Sequence, residues 1–144
     1  MFKSQYNHTV DAKGRLSIPS KFREQLGDEF VITKGMDGCL FVFDNDNWSE
    51  FEKKLLSLPT IGTLETRQYT RFFLAGVLNA EVDKQGRILI PANLRAFAGL
   101  EKEAILVGVG NRIEIWNADT WMKMEQEVDI NEITKAMAEK GLMI

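Results

Sequence analysis

Apolar residues come in short bursts rather than long stripes, and the same series of bursts occurs twice along the chain. Apolar positions alternate with polar ones before Asp11 and after Arg15. Period-two patterning of this kind marks half-buried strands, so two short strands are predicted around a tight connection. Pro19 then fits the first position of a helix over 19–26, where a missing N–H costs nothing, and Gly27 stops it. Apolar runs predict strands over 30–34 and 39–43, joined near Asp37-Gly38.

The second series repeats these signals with a helix over 91–98 stopped by Gly99 and strands over 104–108 and 112–116. Gly110-Asn111 between those strands is a hairpin signal. Residues 10–26 and 82–98 share seven of seventeen positions at an offset of 72: Val10/Val82, Asp11/Asp83, Gly14/Gly86, Arg15/Arg87, Ile18/Ile90, Pro19/Pro91 and Arg23/Arg95. After one inserted residue, Ile32/Ile105, Gly35/Gly108, Phe43/Trp116 and Trp48/Trp121 also pair. The chain is therefore expected to hold two copies of one unit, 5–47 and 76–119, each strand–turn–strand–helix–strand–strand.

Four short strands leave one sheet face bare, so neither copy can close a core alone. Two copies facing each other can, as a pseudo-twofold barrel. The expected fold class is α+β, one compact domain over 1–144 with flanking helices at about 46–56, 64–74 and 119–140. A linker is expected at Thr60-Ile61-Gly62, Phe72 and Phe73 are candidates for burial, and Trp48 and Trp121 should anchor helices on the core. Ile133, Ala136 and Met137 form an apolar stripe on the last helix that fits either core or subunit contact.

Composition narrows the chemistry. The 144 residues are 44% apolar and 27% charged, as in a globular protein rather than a disordered one. The single cysteine, Cys39, and single histidine, His8, exclude an intrachain disulfide and a multi-thiolate or two-histidine metal site within one subunit. Cys39 sits in an apolar run and reads as a small core residue; His8 reads as a surface strand position. No apolar stretch approaches the ~18 residues of a membrane span, and none follows the N-terminal charge as a signal peptide requires. A cytoplasmic protein without cofactor, metal or evident small-molecule substrate is expected. There is no Walker loop, Gly-x-Ser-x-Gly elbow or acidic metal cluster, so an enzyme is not expected. Gly108-Val109-Gly110 starts like a dinucleotide loop, but a strand follows where a helix should, and the hairpin reading prevails.

The duplicated turns carry the candidate chemistry. Asp11 and Asp83 can accept backbone N–H groups one turn on, and Gly14 and Gly86 can adopt the positive φ such a connection needs. A turn does not require the arginines that follow. Arg15/Arg87 and Arg23/Arg95 could reach a ligand, or could pair with Asp11, Asp83 or helix-end carbonyls to hold the barrel.

Charge separates these readings better than the overall net of −3. Residues 1–27 carry five basic and two acidic side chains, and residues 67–95 the same, so each of these segments is +3. Residues 28–66 hold three basic against eight acidic, and residues 96–144 five against nine. The positive blocks coincide with the two turn units, as for a phosphate-binding face on an acidic body.

The doubled Val-Asp-x-x-Gly-Arg-x-x-Ile-Pro-x-x-[Phe/Leu]-Arg pattern, the start Met1-Phe2 and the Trp48/Trp121 helices resemble the MraZ family over nearly the whole chain. Each copy is more distantly similar to the DNA-binding half of AbrB-type regulators, which form a swapped-hairpin barrel from two chains. The resemblance implies a sequence-specific, nucleoid-associated transcriptional regulator, a repressor of its own division and cell wall operon. It also implies a ring-shaped, octamer-like homo-oligomer on repeated boxes in double-stranded promoter DNA. The family's paired Asp-x-x-x-Arg motif falls on Asp11/Arg15 and Asp83/Arg87, which implies DNA contacts from Arg15 and Arg87, with Lys13, Lys84 and Lys21 on phosphates and Arg23 and Arg95 beside them. Ala80, Glu24 and Ala96 stand where AbrB-type proteins are basic. The alternative is an antitoxin-like interaction module on the same fold, with a basic protein partner for the acidic segments.

Overall fold

A computed structural model of the chain describes residues 1–59 and 61–142; Thr60, in the expected linker, lies outside the described residues. The elements run β1 Gln5–Thr9, β2 Arg15–Ser17, α1 Ser20–Leu26, β3 Glu29–Lys34, β4 Leu40–Asp44, α2 Asn45–Leu56 and α3 Leu64–Ala75. They continue with β5 Leu78–Glu81, β6 Arg87–Leu89, α4 Ala92–Ala98, β7 Glu103–Gly108, β8 Ile113–Asn117, α5 Ala118–Glu127 and α6 Ile130–Glu139. The fold class is α+β, as expected.

All strand pairs are antiparallel. A six-stranded sheet runs β1-β7-β8-β4-β3-β5, and β2 pairs with β6 as a separate two-stranded ribbon. The first strand of each half is completed by the other half: β1 pairs with β7 (Asn7 opposite Ile105) and β5 with β3 (Val31 opposite Asn79). The larger sheet does not close on itself, since β1 and β5 remain its edges. The ribbon sits by these edges, with β2 beside β1 and β6 beside β5. The expected barrel is thus an open sheet with a ribbon packed across it.

Alternation along the central strands explains the layering. Leu40 and Val42 of β4 face one cluster, and Phe41 and Phe43 the other. The first cluster joins the sheet to the ribbon through Leu16, Ile18, Ile88 and Ile90, and to α1 and α4 through Phe22, Leu26 and Leu94. The second is covered by α2, α3 and α5 through Leu55, Phe73, Trp48, Phe51 and Trp121. The two tryptophans do anchor their helices, Trp48 against Phe43 and Trp121 against Trp116. Phe73 is buried and Phe72 half-buried. Thr33, a buried polar residue, is satisfied by donating to the Phe73 carbonyl at 2.8 Å. Cys39 is a core residue; its thiol donates to the Met36 carbonyl, and burial pushes its pKa up to about 12.

Two local expectations shift. Pro19 and Pro91 are caps rather than first helical residues: their ψ values of 141° and 155° are extended, and the helices begin one residue later. The stretch 119–140 is two helices, broken at Val128 and Asp129; the Asp129 side chain caps α6 by accepting from the N–H groups of Asn131 and Glu132. The glycine at 108 makes room for the N-terminus, because a Cβ there would lie 2.2 Å from the Lys3 nitrogen. Phe2 and Gly110 exchange backbone hydrogen bonds at 2.8 and 2.7 Å beside it.

Candidate nucleic-acid interface

Each turn is built the same way. The Asp11 N–H donates to the Arg15 carbonyl at 2.9 Å, and the Gly14 N–H to the Asp11 carbonyl at 3.0 Å. The counterparts at Asp83, Arg87 and Gly86 measure 2.8 and 3.0 Å. Asp11 Oδ1 accepts the N–H groups of Lys13 and Arg15, each at 2.9 Å, and Oδ2 accepts Arg15 Nε at 2.7 Å. Asp83 repeats this with the N–H groups of Gln85 and Arg87 and with Arg87 Nε at 2.9 Å. The backbone N–H of Arg15, aided by its side chain and by Lys13, holds the Asp11 carboxyl below the usual carboxylate range. The Arg87 backbone N–H does the same for Asp83.

The two turns sit at opposite ends of one ribbon. Its register sets Arg15 opposite Leu89, Leu16 opposite Ile88, and Ser17 opposite Arg87. Leu16 and Ile88 point into the core, so alternation turns Arg15, Ser17, Arg87 and Leu89 to the outer face. Arg15 and Arg87 are diagonal neighbours there, and Arg87 Nη1 lies 4.0 Å from Asp11 Oδ2 of the other turn. The aspartates grip the arginines at Nε and so orient the guanidinium planes. Beside the arginines the halves differ: Gln85 Oε1 accepts Arg87 Nη2 at 2.5 Å, whereas Lys13 holds the equivalent place beside Arg15 and cannot accept.

Lys13 and Lys84 are exposed on the turns, and Lys21 is exposed in the first turn of α1. Arg23 and Arg95 are placed differently. Each is half-buried against the turn of the opposite half. Arg95 Nη1 donates to the Ile90 carbonyl at 2.5 Å, while the Ile90 N–H donates to Gly14 at 2.9 Å. The Ile18 N–H donates to Gly86 at 2.9 Å in the matching place, above Arg23. The second basic pair therefore packs beneath the turns, Arg95 with a hydrogen bond to the backbone there. Ser17, Leu89 and Gln85 join the face without having been singled out in sequence; counting two residues on from each turn arginine finds the first two.

Away from the ribbon the surface changes sign. A cleft of about 500 Å³ is lined by Asp28, Glu29, Asp44 and Asp46, which repel phosphate. No described helix is long and apolar enough to cross a membrane.

Two repeats that complete each other's sheet and present paired Asp-x-x-x-Arg turns on a shared ribbon define a duplicated α+β protein with both halves in one chain. The family described as "MraZ protein, putative antitoxin-like" matches this chain twice, over residues 1–71 and 73–142. Relatives in Lachnoclostridium phytofermentans and Alkaliphilus oremlandii are each 51% identical, over 99% of this chain and 99% and 100% of their own lengths. One in Thermoanaerobacter is 52% identical over 91% of both chains. All three are named transcriptional regulator MraZ. The chain belongs to the MraZ family.

Proposed function

We propose that this chain is a cytoplasmic, nucleoid-associated DNA-binding transcriptional regulator that represses its own division and cell wall operon. One observation carries the DNA reading: Arg15 and Arg87 share the outer face of one ribbon, each held at Nε by an aspartate. The major groove is about 12 Å wide and admits a two-stranded ribbon. An arginine clamped at Nε can still offer its terminal nitrogens to guanine O6 and N7, a pairing worth about 1–3 kcal/mol of discrimination. Lys13, Lys84 and Lys21 take phosphates. Arg23 and Arg95 hold the turns in place and add positive potential beneath them. The names of the relatives and the family resemblance support regulation, the operon and the repeated boxes.

A single ribbon makes few contacts, so useful affinity comes from several subunits of a ring engaging repeated boxes, a linkage that can gain on the order of 10²–10⁴. The uncovered apolar side chains Ile130, Ile133 and Met137 of α6 support contact between copies.

Gel-shift titration on the promoter of the chain's own operon tests the reading. Arg15→Ala and Arg87→Ala should each weaken binding; wild-type affinity in both across a salt series would reject it. Capture of a stoichiometric basic protein together with no promoter shift would favour the interaction-module alternative.

A further inference from the structure

The outer face of the ribbon is not symmetric. Asp, Gly, Arg, Ile and Pro are the same in both halves, yet the residue two positions after the turn arginine is Ser17 in one and Leu89 in the other. Leu89 is 59% exposed, next to Ile88 at 1%. A lone exposed leucine needs no explanation in general. This one stands directly across the ribbon from Arg15, where cross-strand Cβ atoms lie about 4.5–5.5 Å apart. It is therefore on whatever surface Arg15 touches.

In the major groove, thymine is distinguished by its C5-methyl, the apolar feature on the base edges there. We propose that Leu89 contacts a thymine methyl beside the guanine read by Arg15, so that the chain reads an asymmetric element. The inference rests on the DNA reading given above. At the other end of the face Ser17 lies across from Arg87 and offers a hydroxyl, which accepts or donates and has no preference for a methyl. The target of one subunit is then not a palindrome, although the backbone that reads it has pseudo-twofold symmetry. Arg87 is further restrained by Gln85, which adds to the difference between the two ends.

The test compares two versions of the same promoter duplex, one normal and one with deoxyuridine in place of every thymidine, which removes only the methyl groups. Binding is measured by fluorescence anisotropy with wild-type protein and with Leu89→Ser, which installs the residue of the other half. Wild type should bind the methyl-free duplex about three- to fivefold more weakly, the worth of one buried methyl-sized contact. Leu89→Ser should bind both duplexes alike, at the weaker level, with an unchanged melting temperature because the side chain is outside the core. Equal wild-type affinity for the two duplexes overturns the proposal. So does a Leu89→Ser variant that keeps the full preference for thymine, which would assign the effect to altered DNA shape. A wild-type protein that binds neither duplex fails at the earlier step, the DNA reading itself, and takes this inference with it.

Discussion

Arg95 lies directly beneath Gly14 of the opposite repeat: a Cβ at Gly14 would fall 1.8 Å from Arg95 Nη1. Arg23 stands in the same relation to Gly86, at 1.5 Å. These glycines also have φ values of 84° and 74°. Conformation demands glycine at both places, and the space beside each is taken by the guanidinium of the other half's arginine, which would have to swing aside for a side chain.

Gly14→Ala should therefore cost about 1–3 kcal/mol of unfolding free energy, read by denaturant titration. In an Arg95→Ala background the same substitution should cost less, because only the backbone strain remains. An equal cost in both backgrounds would show that the close approach contributes nothing.

Lys13 and Lys84 should act through phosphates alone. Replacing either with alanine should reduce the slope of log affinity against log salt by about 0.9 and weaken all sequences alike. Loss of preference among boxes, with the slope unchanged, would move these lysines from the backbone to the bases.

The aspartates fix the pH behaviour. Both carboxyls are held below their ordinary values by hydrogen bonds made in the folded turns. Their contribution is therefore fully present above the ordinary value of about 3.9 and is lost as pH falls through the lowered one. Melting temperature should not change through these groups between about pH 5 and 8, and should drop as the turns are protonated below about pH 4. Asp11→Asn should lower stability at neutral pH and soften the acid drop; an unaltered acid profile would exclude Asp11 from it.

The last helix should be dispensable for folding and needed for assembly. No residue of α6 is buried, and Ile133 and Met137 are 44% and 36% exposed. The double variant Ile133→Asn, Met137→Asn should leave subunit stability within about 0.5 kcal/mol and reduce the particle mass in light scattering. An unchanged mass would rule this face out as the subunit contact.

What the sequence shows plainly is local or repeated. The strand–turn–strand–helix order follows from alternation, glycine and proline, and the Asp11 to Arg15 turn is readable because all its bonds close within five residues. The partners of β1 and β5 are not readable in this way. Their pairing with β7 and β3 joins residues about a hundred and about fifty positions apart, and alternation carries no information on which strand lies beside which. The same limit explains Arg23 and Arg95. Their persistence at one offset marks them as constrained, but the constraint is the glycine of the opposite turn, distant in sequence. Pro19 and Pro91 sit one position outside their expected helices for a local reason: proline's fixed φ suits a cap as well as a first helical position, and only ψ separates the two.

The exchange of first strands has a consequence for descent and for folding. If the halves were separate chains, each would need a twin to finish its sheet, and every change in one would appear in both. Joined covalently, they meet at an effective concentration in the millimolar range or above, so completing the sheet is a unimolecular step that dilution cannot reverse. Joined halves are also free to drift apart. Lys13 differs from Gln85, and Ser17 from Leu89, while the residues that hold the turns are the same in both halves. Two such halves in one chain make twofold symmetry a starting point, from which each half can specialise without losing its partner.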